Sequence, residues 1–312
     1  MSDTIHESGP VSTPRTISVY TVQSAVRRIL AAITRRLPAF RGLGRFVLAA
    51  DRILTNENDP VSYETVATVN GTGRLVLDLR NREQKFVFYY GTYEPEHLAA
   101  MERLINGGGV IYDIGASIGL YSVPMALACR KNGGHVRAFE PVPQNLHRLD
   151  AQLVENGLGD DLIQIERVAL SNEPGTATMN LCDSGKPGNA KITGAGQVRV
   201  EVSTLDAIWA ERGCEHIEFI KIDTEGWDAK ILEGGRKCVS RCRPGLLIEF
   251  NRERMTNHGI PLMPSWMFLV GELNYRVFRL SESGVPLEVH EPGEWENLFF
   301  VQEHNVVRLQ QQ

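Results

Sequence analysis

Residues 110–122 read VIYDIGASIGLYS, and the fold turns on how this stretch is interpreted. The apolar run Val110–Tyr112 meets Asp113, and Gly115 and Gly119 then bracket three small or apolar residues before a Tyr-Ser pair. A short apolar run that stops at turn residues and leads into a helical pattern is a buried strand feeding a helix. Taken alone, the stretch could also be a glycine-rich turn between two core elements.

Working outward, the pattern alternates. Strands are expected at 110–113, 135–140 and 162–168, with helices at about 119–131 and 143–156 between them. ATMNLC and QVRVEV read as strands flanking the glycine-rich loop 184–196, and TLDAIWAERG as a helix. IEFIKID is a buried strand, DAKILEGGRKCVS a helix, GLLIEF a strand, and a further helix is expected around 262–273. YRVFRL and NLFFVQ follow each other too closely for a helical crossover, which predicts an antiparallel edge. Strands alternating with helices give a mostly parallel sheet covered on both faces. Upstream, SYETVATVN-GTG-RLVLDLR carries an Asn-Gly hairpin signal. KFVFYYG is expected as a third strand and EPEHLAAMERLINGGG as a helix. Residues 1–19 read as a disordered leader, 20–92 as a helical and β-hairpin extension, and 93–312 as the main domain.

The 312 residues are 42% hydrophobic and 23% charged, an ordinary globular balance. The polar N-terminus lacks the order of a secretory signal, and no run approaches the ~20 apolar residues that span a bilayer. Cysteines 129, 182, 214, 238 and 242 show no zinc-ligand spacing, so reduced thiols in a cytoplasmic protein are expected. Residues 1–52 hold eight arginines and three acids, a balance of +5; the whole chain is −5, leaving −10 for the remainder. An acidic body argues against nucleic acid as a partner. In the segment 22–37, apolar residues at 22, 26, 29, 30, 33 and 37 form a helical stripe, with Arg27, Arg28, Arg35 and Arg36 mainly off it. It is either a basic amphipathic helix for a membrane surface or partner, or a helix docked on its own domain with a solvated arginine face. The ordinary width of the stripe favours the second. A homo-oligomer stays open.

In an open α/β sheet, ligands bind at the carboxyl ends of the strands. Gly115 allows a sharp turn and close approach, Gly119 keeps the next helix near, and Asp113 stands at the strand tip. A dinucleotide fingerprint would carry glycine at Ser117 and no acid beside the pyrophosphate. S-adenosylmethionine has no phosphate and presents a cationic sulfonium and ammonium, so Asp113 suits it better. Glu140, 27 residues on in HVRAFEPVPQN, is placed to accept both ribose hydroxyls.

Together, YDIGASIGLYS, AFEPVPQN, VALSNEPGTATM, VSTLDAI and IEFIKIDTEGWDAKILEGG resemble the FkbM family of S-adenosylmethionine-dependent methyltransferases, over roughly residues 86–300. The family pattern is met at Asp113, Gly115, Ala116 and Gly119, at Phe139, Glu140 and Pro141 with Asn145 a turn on, and at Lys221, Asp223, Glu225 and Gly226. Trp227 and Asp228 depart from it. The resemblance implies a Rossmann-like class I methyltransferase fold: a mostly parallel seven-stranded sheet with an antiparallel edge, plus the N-terminal extension. It also implies O-methylation of a hydroxyl on a small molecule, sugar or lipid-linked natural product. N-methylation of an amine, a nicotinamide-dependent oxidoreductase on a similar sheet and a non-catalytic binding protein are the alternatives.

An alcohol is a poor nucleophile, and a base contributes about 10²–10⁴ in rate. Asp223 and Glu225 end FIKIDTEG, and Glu249 and Asn251 end LLIEFN; such strand-tip oxygens could hold Mg²⁺ or act directly. His258, in the loop NRERMTNHGIP, is a further candidate base. Tyr121 either meets the methionine end of the cofactor or packs in the core. Val168 and Ala169 end the third strand, where adenine commonly rests. The loop 184–196 and the hairpin region 61–90 are expected to set specificity. The aromatics of FVFYYGTYEPE either stack on a ring of the acceptor or line the sheet's inner face.

Overall fold

The computed structural model describes residues 19–37, 43–54, 63–105, 108–180, 191–193 and 198–311. Nearly all of the expected leader 1–19, and most of the loop 184–196, lie outside the described residues.

Two helices, α1 (Val19–Thr34) and α2 (Leu43–Leu54), precede the hairpin β1 (Glu64–Val69)–β2 (Gly73–Asp78) and helices α3 (Arg82–Tyr90) and α4 (Pro95–Leu104). The alternating part begins with β3 (Val110–Ile114), α5 (Ser122–Asn132), β4 (His135–Phe139), α6 (Pro143–Asn156) and β5 (Ile163–Glu166). Four short strands follow: β6 (Ala169–Ser171), β7 (Gly175–Asn180), β8 (Lys191–Thr193) and β9 (Val198–Thr204). Then come α7 (Leu205–Glu211), β10 (Ile217–Ile222), α8 (Asp228–Gly234), α9 (Arg236–Cys242), β11 (Gly245–Asn251) and α10 (Arg252–Asn257). Helix α11 (Met263–Trp266) runs into a π-helical turn (Met267–Glu272), followed by β12 (Arg276–Leu280), β13 (Pro286–Glu288), β14 (Trp295–Val301) and α12 (Glu303–Gln310).

The main sheet has the order β13-β12-β14-β11-β10-β3-β4-β5. The five strands from β11 to β5 are parallel, and β14, β12 and β13 pair antiparallel. This is the expected Rossmann-like class I methyltransferase arrangement of seven strands, with short β13 added at the edge. β14 inserts between β11 and β12, so the antiparallel part is three strands deep. A separate sheet, β6-β9-β7-β8, carries the ATMNLC and QVRVEV strands.

Alternation along each strand divides the core between the two faces. Ile111, Phe219, Leu247 and Phe299 pack with Val47, Met101, Val123 and Leu149 from the N-terminal and first crossover helices. Tyr112, Ile220, Ile248 and Phe300 pack on the other face with Trp209, Leu232, Val239 and Leu269. The strand order reverses about β3, which places the β3–α5 loop at a topological switch point.

Two expectations are corrected. KFVFYYG is not a strand but most of α3. Asn81 caps its start by accepting from Gln84 N at 3.1 Å, and Gly91 ends it in the left-handed region (φ 71°). Gln84, Val87 and Phe88 are buried at helical spacing, which outweighs the β propensity of the aromatics. Helix α1 does dock on its own domain, but most of its apolar stripe stays out of the contact, in which Leu30 takes part. It buries Arg27, Ala31 and Thr34, because Arg27 Nε reaches Asp51 of α2 at 3.2 Å. The Arg35 guanidinium donates to the Phe88 carbonyl at 2.6 Å. Val26, Ile29, Ile33 and Leu37 are left exposed.

Candidate functional site

The loop after β3 is clamped between two strand tips. Gly115 N and Ala116 N both donate to the Phe139 carbonyl (3.1 and 3.0 Å), and Asp223 N donates to the Ile114 carbonyl at 3.1 Å. Gly115 has φ 84°, and a Cβ there would lie 2.1 Å from the Asp223 carbonyl oxygen, so only glycine fits. Gly119 packs on Leu149 of α6.

Glu140 fastens the loop to the tip of β4. Its two oxygens accept from Ser117 N and Val142 N, each at 2.8 Å. Burial pushes its carboxyl up to about 7, against the lowering hydrogen bonds of Val142, Asn145 and Ser117. These groups edge a cavity of about 700 Å³, counting its open mouth. Pro141 and Asn145 flank Glu140, and Val142, Val168, Ala169 and Met179 make an apolar wall. Asp223, Thr224, Glu225, Trp227 and His258 form the opposite side.

Asp113 is not among the lining residues; it lies buried behind the loop. Ser122 Oγ donates to its Oδ2 at 2.5 Å, and Lys221 Nζ stands 3.4 Å from its Oδ1. The same ammonium is 3.6 Å from Asp223 Oδ2 and 4.9 Å from the centre of the Tyr121 ring. Burial would pull Lys221 down, but Asp113, Asp223 and Glu94 hold its pKa above the ordinary value. Asp113 is thus paired by a lysine of the neighbouring strand, and Asp223 carries the negative charge to the cavity. Ala116, Gly119 and Tyr121 likewise shape the loop from outside the cavity. The Tyr121 hydroxyl donates to Glu94, itself left-handed (φ 38°) at the start of α4, and its ring meets Tyr93 edge-on.

The candidate bases separate by their partners. Arg254 Nη1 lies 2.7 Å from Glu225 Oε2 and 2.8 Å from Glu249 Oε2, so one guanidinium holds both carboxylates. Asn251 Oδ1 accepts from Arg254 N at 3.0 Å and caps α10. These oxygens do not fit Mg²⁺: a cation already stands between the two carboxylates. Among the described residues, no group of three or more His, Cys, Asp or Glu could hold a metal ion. Asp223 is 40% exposed and is bonded by no arginine among the described residues. His258 meets Trp227 edge-on, with ring centres 5.5 Å apart.

Several site residues carried no clear sequence signal. Trp227 Nε1 donates to Ser171 Oγ at 3.0 Å, which ties the wall to β6. Asp228 Oδ1 accepts from Thr224 N and Oγ1 (2.9 and 3.0 Å) and fixes the turn after β10. Burial, then Asp223, pushes the Asp228 carboxyl up to about 6. Trp227 and Asp228 are the two departures from the family pattern, and both are structural supports of this turn. Met179 reaches the cavity from β7. A second groove, lined by Glu83, Phe86, Tyr90, Tyr93 and Glu94, opens beside α3. The Glu83 carboxyl, on a residue exposed overall, is raised by desolvation and then by Asp223 and Glu94. The aromatics of 86–93 therefore divide: Phe88 and Tyr89 are core, and Phe86, Tyr90 and Tyr93 line the groove.

The methyltransferase FkbM domain matches residues 113–277. Solved structures with a similar chain course include a methyltransferase FkbM from Methylobacillus flagellatus KT. It is 18% identical, with 70% of this chain and 52% of that chain covered and a TM-score of 0.39. The present chain thus spans about half the length of that protein. A TehB-like S-adenosylmethionine-dependent methyltransferase from Corynebacterium glutamicum is 11% identical (70% and 94% covered, TM-score 0.37). An rRNA methylase from Streptococcus thermophilus is 12% identical (67% and 98% covered, TM-score 0.39). No curated protein matches the sequence.

Proposed function

We propose, given that the chain belongs to the methyltransferase FkbM family, that it moves a methyl group from S-adenosylmethionine to a hydroxyl of a small molecule, sugar or lipid-linked acceptor. The observation that carries the donor assignment is the charge of the cavity. Its ionisable lining is Glu140, Asp223, Glu225 and His258, with no lysine or arginine among the described residues. A dinucleotide pyrophosphate would find no lysine or arginine lining the cavity to receive it, whereas a cationic nucleoside without phosphate needs none.

The residues fit such a nucleoside. The lone pairs of Glu140 that the backbone leaves free suit a ribose diol, and the apolar wall of Val142, Val168, Ala169 and Met179 suits a base. Asp223 supplies negative charge toward a sulfonium or ammonium. When bound, the cofactor supplies an electrophilic methyl group.

What the chain itself contributes is placement and a proton acceptor. Alignment of acceptor and donor is the larger part of such a transfer. Asp223 lines the donor cavity, and its charge helps raise the Glu83 carboxyl of the groove beside α3. Asp223 is the carboxylate we assign as base, with Lys221 positioning it from 3.6 Å. Glu225 and Glu249 keep Arg254 in place instead. The groove is lined by Glu83 and Glu94 against one cation, Arg82, and the excess of carboxylates makes N-methylation of an ammonium-bearing acceptor the second reading.

The test is transfer of labelled methyl from S-adenosylmethionine to fractionated small-molecule extracts, with and without EDTA, by wild type and Asp223→Asn. The expected result is incorporation into a hydroxyl compound, unaffected by EDTA. The variant should lose about 10²-fold or more in kcat, a larger loss than that in calorimetric affinity for S-adenosylhomocysteine. Incorporation into an amine would select the second reading, and tight NAD(P) binding without S-adenosylhomocysteine binding would overturn both.

A further inference from the structure

Helices α1 and α2 bury Arg27, Thr34 and Asp51 beside Ala31 and Val47, and leave several large apolar side chains facing water. Val26 (39% exposed), Ile29 (61%), Ile33 (51%) and Leu37 (43%) run along α1 and the turn after it, and Phe46 (58%) stands on α2. Single exposed apolar residues are ordinary. Here, however, five of the eleven large exposed hydrophobic side chains among the described residues fall on one helix pair, and four of them form one stripe. The inward side explains this: Arg27 meets Asp51, and Arg35 reaches the Phe88 carbonyl.

Arg28, Arg45 and Arg52 are exposed on the same two helices, and Arg36 in the turn after α1. Residues 1–52 contain no lysine, so their positive charge is carried by guanidinium groups, whose fork matches phosphate oxygens. We propose that this face docks on an anionic lipid bilayer, with the helices lying in the plane of the surface. Ile29, Ile33 and Phe46 enter the boundary between headgroups and acyl chains, and the arginines pair with lipid phosphates.

Charge decides between occupants. The segment is +5 and the remainder of the chain −10, so attraction to an anionic surface favours this segment over the rest of the chain. A second copy docked face to face would set the same arginines against one another. No helix among the described residues is long and apolar enough to cross a membrane, so a flat, peripheral contact is the mode that fits. Gly44 of α2 lies against Phe86 and Tyr90, which line the groove beside α3. Docking brings that groove to the lipid surface; the docking itself does not depend on which acceptor is methylated.

The experiment is co-sedimentation of the full chain with phosphatidylcholine vesicles, and with phosphatidylcholine–phosphatidylglycerol vesicles, at low and high salt. The variants are Ile29→Glu/Ile33→Glu and Arg28→Glu/Arg36→Glu. All four side chains are exposed, so circular dichroism should report an unchanged fold. The expected result is salt-sensitive binding to the anionic vesicles, reduced roughly tenfold or more by either double substitution. Absence of binding to anionic vesicles, or binding unaltered by both double substitutions, overturns the proposal. A dimer seen by light scattering that dissolves in Ile29→Glu/Ile33→Glu, without vesicle binding, overturns it in favour of a second copy.

Discussion

Lys221 and Asp51 are both buried among charges of opposite sign, one beneath the strand tips and one between the N-terminal helices. Lys221 stands 3.4 Å from Asp113 and 3.6 Å from Asp223, and Asp223 opens into the cavity. Asp51 is closed in: Lys85 Nζ lies 2.6 Å away, Arg27 Nε 3.2 Å, and the Tyr89 hydroxyl donates at 2.6 Å. Taking charges out of water is costly in both places, and the cost is offset only by complete pairing. The difference lies in what each cluster delivers. The first presents a carboxylate to the cavity, and the second pins two helices together by polar contacts while Val26, Ile29, Ile33 and Phe46 stay outside.

The largest test of the donor side is Gly115→Ala. The added Cβ would fall 2.1 Å from the Asp223 carbonyl on a backbone at φ 84°, so the loop must leave both strand tips. We expect S-adenosylhomocysteine binding to vanish in calorimetry and stability to fall by about 2–4 kcal/mol. Retained affinity would break the assignment of this loop to the cofactor.

Asp51→Ala addresses the other cluster. Removing it takes the carboxylate away from buried Arg27 and half-buried Lys85, which costs about 3–5 kcal/mol by urea unfolding. Affinity for S-adenosylhomocysteine in the folded variant should stay within about twofold, since Asp51 pins α1 rather than the loop. The sign with pH follows from its carboxyl. Burial raises the pKa, but Lys85, Tyr89 and Arg27 bring it below the ordinary value overall. Its stabilisation is therefore present above the unfolded pKa near 4 and is lost as pH falls through the lower folded value. Wild type should accordingly lose more stability than Asp51→Ala between pH 5 and about 3.

The same contrast explains what could be read from the sequence. Gly115, Ser117, Glu140 and Asn145 lie within one β–α–β unit, so spacing along the chain maps directly onto the rim of the cavity. The role of Asp113 did not map so directly, because its partner Lys221 comes from a strand 108 residues away. In the N-terminal layer the deciding contacts are long-range as well: Arg27 to Asp51 spans 24 residues and Tyr89 to Asp51 spans 38. A helical stripe at 22–37 shows which residues share a face, but not that Asp51 would draw the opposite face inward.

Glu140 gives a smaller effect, with a direction. Its folded carboxyl sits at about 7, above the usual range, chiefly because it is buried. Between the unfolded pKa near 4.5 and about 7 the folded state holds more protons, so the ligand-free protein loses stability as pH rises through that window. A ribose diol donates to the ionised form, so S-adenosylhomocysteine should bind more tightly as pH rises from 6 to 8, by up to about tenfold. Glu140→Gln should bind weakly and flatten the profile. A flat wild-type profile would separate Glu140 from the ligand.

The smallest effect concerns the cap that makes 82–90 a helix. Asn81→Ala removes the acceptor for Gln84 N, worth about 1 kcal/mol. Thermal unfolding should record that loss, while affinity for S-adenosylhomocysteine should not change. KM for the acceptor is the informative readout, because Glu83 and Phe86 of the first turns line the groove. A raised KM with kcat held would mark α3 as the acceptor's wall and the loop of Gly115 as the donor's. An unchanged KM would leave the groove without a role in the reaction and move the acceptor to the side of Trp227 and His258.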